Sequence, residues 1–287
     1  MRANLKRILS WGGSTLALAG VIFVVLRLHD FGGQIDSSRF GLGEWGVIAG
    51  FSLIYGLSNL ILAQAWRNLL NNFGAPMTYR WAVKTYGFSQ LAKYVPGNIF
   101  HLAGRQVIGM AAGVPGWSLA KSSVWELGLL AFTGAVFGVL ALPLVFSKVT
   151  VPNAAIMFTI SAITTTFLLG HYLGRQIARS FIWYVLFFSV SAAIFEGLIK
   201  LVSSVSFSNA SLWPSFCGAY VLAWLAGFIT PGAPAGLGVR ELVLLFLLKG
   251  EVAEADLLLT IVAGRIVTVL GDSLFFLFSS AISKTEY

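Results

Sequence analysis

The chain has few charged residues, one cysteine and three histidines. Charged residues make up only 10% of its 287 residues and hydrophobic residues 57%, whereas roughly 25% charged is usual in soluble domains. This composition excludes a soluble globular protein and predicts an all-α polytopic membrane protein with a single transmembrane domain over 1–287. One cysteine excludes an internal disulfide and a cysteine-rich metal site, and the scattered histidines argue against a zinc site.

Signals of several other function classes are also missing. The sequence contains no Ser/His/Asp set, Walker loop, dinucleotide-binding fingerprint or metal-ligand spacing. We therefore expect that the protein is not an enzyme and that it has no metal and no cofactor. The net charge of +8 is attributed to membrane topology, because the basic residues lie in short loops. We expect no nucleic-acid partner.

Long apolar stretches predict about six full membrane spans, each near the ~20 residues that a bilayer requires. These spans lie at roughly 8–28, 45–70, 120–146, 153–173, 181–204 and 256–282. Two further apolar stretches, at roughly 81–113 and 212–248, are interrupted by Pro-Gly pairs. The interrupted stretches are the most informative part of the sequence.

Both interrupted stretches follow one pattern. A Pro-Gly pair begins at Pro96 and again at Pro231, and an arginine follows nine residues after each proline, at Arg105 and Arg240. Helix-breaking residues in a bilayer free backbone groups that lipid cannot satisfy, so they are tolerated where the backbone is buried in protein or lines a cavity. A matched pair of breaks in the two halves of a chain indicates the binding site of a transporter.

The matching breaks predict an internal duplication with pseudo-repeats 1–146 and 147–287. If each interrupted stretch is a re-entrant helical hairpin, each half contains three full crossings, and the second half is inverted relative to the first. The distribution of Lys and Arg supports this arrangement with both termini in the cytoplasm. In the alternative, which stays open, each interrupted stretch forms a pair of crossings and the chain has ten spans.

A half-helix that starts after a break directs its free N–H groups and its positive dipole end into the membrane. Two such ends near the midplane would form an anion site suited to phosphate or carboxylate. Arg105 and Arg240 are then candidate substrate ligands, with ordinary structural ion pairs as the alternative. Gly97 and Asn98 would shape the pocket, since Asn98 is placed to cap the half-helix. Lys93 is a further candidate, or a residue that reaches the membrane interface.

Few other ionisable residues lie within the predicted membrane region. Each has either a structural role, as part of an ion pair or, for His101, as a hydrogen-bonded histidine, or a role in gating or coupling. These candidates are Glu126, Glu241, His101, Arg265 and Asp272. Arg265 and Asp272 lie seven residues apart and therefore share one face of the last helix. Arg265 and Asp272 are candidates for ion pairs with Glu241 and Arg240, and an ion pair between Arg240 and Glu241 is the alternative.

Three segments carry a family resemblance: KYVPGNIF through GR at 93–105, WEL at 125–127 around Glu126, and PAGLGVRE at 234–241. With these motifs the chain resembles the lysylphosphatidylglycerol synthase transmembrane region, a flippase-like integral membrane protein family, over nearly its whole length. The family motif aligns Pro234, whereas the internal shift aligns Pro231, so the second helix break lies at one of these two prolines.

The resemblance implies a lipid translocase of the inner (plasma) membrane that acts in envelope lipid or glycan biogenesis. Its substrate would be a membrane lipid with an anionic phosphate headgroup, either a phospholipid or a polyprenyl-phosphate-linked sugar. The alternative is a non-transporting accessory subunit that docks a glycosyltransferase or a lipid synthase.

Overall fold

The computed structural model describes residues 41–95, 100–203, 212–230 and 238–282. Within these ranges the chain is almost entirely helical and contains no β-strand, as the composition predicts. The helices are α1 (Leu42–Asn72), α2 (Tyr79–Gln90, followed by a 3-10 turn at Leu91–Tyr94), α3 (Phe100–Ala111), α4 (Gly116–Val145), α5 (Val151–Tyr172), α6 (Arg175–Val202), α7 (Trp213–Ile229), α8 (Val239–Leu247) and α9 (Glu254–Ala281).

Five of these helices are long and apolar enough to cross a membrane, namely α1, α4, α5, α6 and α9. They coincide with five of the six predicted spans, and the sixth, 8–28, lies outside the described residues. In α5 only 6% of the most apolar window is buried within the protein. A helix that is apolar all round and packs so little against its own chain is suited to contact with lipid.

The interrupted stretches form short helices. At 1.5 Å rise per residue, α2 and α3 are each about 18 Å long and α8 about 14 Å, well below the ~30 Å thickness of the hydrocarbon core. None of these three helices is long enough to cross a bilayer by itself. The breaks themselves, including Pro96, Pro231 and Pro234, lie outside the described residues.

Local sequence sets several helix ends. The side chain of Thr78 accepts a hydrogen bond from the Trp81 N–H (3.3 Å) and so caps the first turn of α2. Thr150 caps α5 in the same way. Between α5 and α6 the chain turns at Gly174, whose φ of 101° lies in the left-handed region that a side chain disfavours.

The centre of the protein is built by α1, which packs along both α6 and α9. At the α1–α9 crossing two glycines meet, and a Cβ added at Gly56 would lie 2.8 Å from the carbonyl oxygen of Gly271. A Cβ added at Gly271 would lie 2.7 Å from the carbonyl oxygen of Ser52. The helix backbones are therefore in direct contact, which is the arrangement that small residues allow in membranes.

Replacing Gly56 with Ala is expected to destabilise the protein by about 1–3 kcal/mol, because the added methyl group forces two backbones apart. The matched control is Gly50→Ala in the same helix, where an added Cβ meets nothing within 4 Å. That control should stay within about 1 kcal/mol of wild type, since Ala is favoured over Gly in helices. Denaturant unfolding in detergent measures both variants, and equal stability of the two would contradict the close contact.

The short helices pack across the two halves of the chain. Helix α2, from the first half, packs against α9, and α7, from the second half, packs against α4. Each of these contacts uses a glycine: Gly87 of α2 faces Ser279, and Gly218 of α7 faces the backbone at Leu140 and Ala141. In each half, the helix that precedes the break therefore packs on the last long helix of the other half.

Candidate functional site

A cavity of about 120 Å³ lies among the helices, and every described helix except α5 contributes to its wall. A water molecule needs roughly 10–15 Å³ of such space, so the cavity has room for a small polar group. Six of the predicted site residues line it: Lys93, His101, Arg105, Glu126, Arg240 and Arg265. Both arginines that follow the breaks therefore line one cavity, although they are far apart in sequence.

Arg105 lies on α3, is 1% exposed and forms an ion pair with the carboxylate of Glu126 on α4. The Tyr86 hydroxyl donates to the other oxygen of the same carboxylate at 2.9 Å. The guanidinium also lies over the ring of Tyr86, 4.2 Å from its centroid, and over the ring of Trp66 at 5.6 Å. The positive charge of Arg105 is thus already compensated by a carboxylate within the protein.

Asp272 of α9 is fully buried and accepts four hydrogen bonds. One oxygen accepts from Lys93 Nζ and from the Tyr94 hydroxyl, both at 2.6 Å. The other accepts from the side-chain amides of Asn59 at 3.2 Å and Gln90 at 3.3 Å. We expected Asp272 to pair with Arg240, and that expectation was wrong. Sequence spacing identifies the face of a helix but cannot identify which distant cation lies opposite it.

Arg265 of α9 pairs with Glu241 of α8, with 2.8 Å between Arg265 Nη2 and Glu241 Oε1. This is one of the two pairings predicted for Glu241; the other was with Arg240. Arg240, the neighbour of Glu241, points to the cavity and lies over the Trp224 ring, 5.6 Å from its centroid. Within the described ranges no carboxylate forms an ion pair with Arg240.

Several polar atoms in the cavity wall have no hydrogen-bond partner in the described structure. They are Arg240 Nε, Arg105 Nε, Ser191 Oγ and His101 Nδ1, and all four residues line the cavity. Buried polar groups are nearly always hydrogen-bonded in folded proteins, so an unpartnered set around one cavity indicates a site for a polar ligand. Ser191 is 3% exposed and adjoins a second, smaller cavity that Arg240, Glu241 and Arg265 also line.

The remaining predicted site residues are Gly97 and Asn98, and both lie outside the described residues. Among the residues that the structure describes, no group of three His, Cys, Asp or Glu side chains could hold a metal ion. Apart from His101, the described residues that have an unpartnered polar atom in the cavity wall are two arginines and a serine, and guanidinium and hydroxyl groups favour an anion.

Sequence reasoning missed several contributors to this site, namely Asn59, Tyr86, Gln90, Ser191 and Trp224. A signal was available for the two amides, because Asn59 lies in a long apolar span and Gln90 precedes the first break. Polar residues in a membrane segment usually face the interior of the helix bundle. For the tyrosine, serine and tryptophan the sequence carries no comparable signal, since such residues are common throughout apolar helices.

Among known proteins, no family model matches this chain and no curated protein sequence matches it.

Proposed function

We propose that this protein moves a membrane lipid with a phosphate headgroup across the bilayer. The main support for the proposal is the environment of Arg240. Its side chain lines a cavity between membrane-spanning helices, and no carboxylate among the described residues forms an ion pair with it. A charged group at membrane depth is expensive and is retained where it binds a substrate or a counter-charge. A phosphate, recognised by a guanidinium through charge-assisted hydrogen bonds, fits this position.

An inverted repeat with two re-entrant hairpins belongs to the same proposal. A long helix, two short helices and a long helix follow one another twice, as α1–α4 and as α6–α9. The reciprocal packing of α2 on α9 and of α7 on α4 is what a two-fold relation between the halves would produce. The short helices are suited to hairpins that enter and leave on one side of the membrane.

Alternating access would follow from rocking one half against the other around the cavity. The headgroup phosphate would pass through the cavity while the acyl or prenyl tail remains in lipid. The ion pairs Arg105–Glu126 and Arg265–Glu241 join each second short helix to the long helix that follows it. In the proposed mechanism, opening and closing of these two ion pairs gates the cavity. We assign the protein to the inner membrane, with both termini in the cytoplasm, and regard the family resemblance as support for a lipid substrate.

The experiment is a reconstituted translocation assay with fluorescent phospholipids and dithionite quenching. Vesicles with the full-length protein should expose inner-leaflet label at least tenfold faster than protein-free vesicles, and Arg240→Gln should remove most of that gain, because the phosphate loses its charged ligand. Lys148→Gln is the matched control, since Lys148 is exposed and outside the cavity. Translocation by wild type at the protein-free rate, together with copurification of a glycosyltransferase or lipid synthase, would instead support an accessory subunit.

A further inference from the structure

The ionisable side chains around the cavity do not balance in charge. Four cations line it, at Lys93, Arg105, Arg240 and Arg265. Three of them are bound to carboxylates, in the pairs Lys93–Asp272, Arg105–Glu126 and Arg265–Glu241. Burial, with Arg105 and Lys93 nearby, lowers the pKa of His101 well below its usual value and keeps it neutral. Arg240 remains, so the described site carries one net positive charge.

Proton transfer within the ion pairs and the sequence of the helix breaks leave this charge unchanged. Transfer of a proton from Lys93 to Asp272, or within either arginine pair, leaves the sum of the pair unchanged. The sequence of the helix breaks at 96–99 and 231–237 contains no ionisable residue. Among the residues that the structure describes, Arg240 is therefore the source of the net positive charge of the site.

Arg240 and Ser191 each have a polar atom without a hydrogen-bond partner. Ser191 Oγ and Arg240 Nε have no hydrogen-bond partner in the described structure, and both residues line the main cavity and the smaller one that adjoins it. A hydroxyl and a guanidinium together can donate to two oxygens of one phosphate. Trp224, under the guanidinium, limits the directions from which an anion can approach.

We infer that the cavity selects a phosphate that carries a single negative charge, a phosphodiester, over a phosphomonoester or a pyrophosphate. The inference rests on the proposed function, because it names the headgroup of the same lipid. One negative charge neutralises Arg240. A second leaves a net negative charge at a site of low dielectric, where uncompensated charge is costly. A phosphodiester occurs both in glycerophospholipids and in polyprenyl-phosphate-linked sugars.

The test measures binding to the purified full-length protein in detergent at pH 8. The probes are phosphatidylglycerol, phosphatidic acid with the same acyl chains, a polyprenyl phosphodiester of a sugar, and the corresponding polyprenyl pyrophosphate. A phosphomonoester has a second pKa near 6 and is mostly a dianion at this pH. Each diester is expected to bind about tenfold more tightly than its more charged counterpart. The tighter of the two diesters identifies the tail, and tighter binding of the dianions would overturn the inference.

A pair of variants tests the charge count directly. Glu241→Gln raises the net charge of the site by one, so the preference should shift about tenfold towards the dianionic probes. The double variant Glu241→Gln, Arg265→Gln restores the original net charge and should restore the preference for diesters. If the single and double variants show the same preference between diester and dianion, the net charge of the site does not set selectivity and the inference fails. Glu126→Gln, alone and with Arg105→Gln, repeats the comparison at the other pair if the first variants do not fold.

The binding test and the translocation test can fail independently of each other. Selective binding of diesters without translocation in vesicles would contradict the proposed function and leave the assignment of the ligand in place. Translocation without preference between diester and dianion would contradict the charge count and leave the proposed function in place.

Discussion

Replacing Arg105 with Met is expected to destabilise the protein by about 3–5 kcal/mol, because it leaves the Glu126 carboxylate buried without its cation. Replacing Arg240 with Met should change stability by no more than about 1 kcal/mol, since no carboxylate in the described structure loses a partner. The two arginines occupy matching positions in sequence but differ in what the fold places opposite them. Unfolding by denaturant in detergent micelles compares the two variants.

Two results would contradict the expected difference in stability between the Arg105 and Arg240 variants. Equal destabilisation by both substitutions would mean that Arg240 also has a structural anionic partner. Wild-type stability of Arg105→Met would mean that Glu126 does not need its cation. As an internal control, the double variant Arg105→Met, Glu126→Met should recover most of the lost stability, because removing both charges leaves neither unpaired.

Replacing Asp272 with Asn is expected to destabilise the protein by about 3 kcal/mol, because it removes the charge opposite Lys93. The amide also creates a local conflict. Each carboxylate oxygen accepts from two donors, so an NH₂ group on either side would face donors where an acceptor is required. Unfolding by denaturant detects the loss.

Two further variants show whether the loss of stability comes from the missing charge of Asp272. Adding Lys93→Met to Asp272→Asn should recover part of the stability, because no unpaired ammonium then remains. Glu254→Gln, an exposed substitution at the start of the same helix, should leave stability within about 0.5 kcal/mol of wild type. Full stability of Asp272→Asn alone would show that Asp272 does not organise the contacts between α1, α2 and α9.

The long helices were predictable because their signal is local. A run of about twenty apolar residues has no stable alternative to a membrane-spanning helix. Five predicted spans therefore agree with the described helices, including α5, which packs little against the rest of the chain. The positions of the short helices were predictable for a similar reason, since Pro and Gly interrupt a helix wherever they occur.

The ion pairs were only partly predictable. Glu241 and Arg265 are 24 residues apart, on consecutive helices, and their pairing was one of the two predicted for Glu241. The partner of Asp272 is separated from it by most of the chain and follows from how α2 and its 3-10 turn pack on α9. Helical periodicity indicates which residues share a face, but it contains no information about the rotation of one helix relative to another.

The sequence by itself determined the all-α membrane class, the long spans and the two places where helices must end, because each depends on hydrophobicity and backbone chemistry within a short window. Only the tertiary structure decided that Arg105 and Arg240 line one cavity, and that the charge of Arg105 is compensated within the described structure while Arg240 has no such partner. The physical reason is that the environment of a buried charge is set by residues distant in sequence, whose positions are fixed by helix packing.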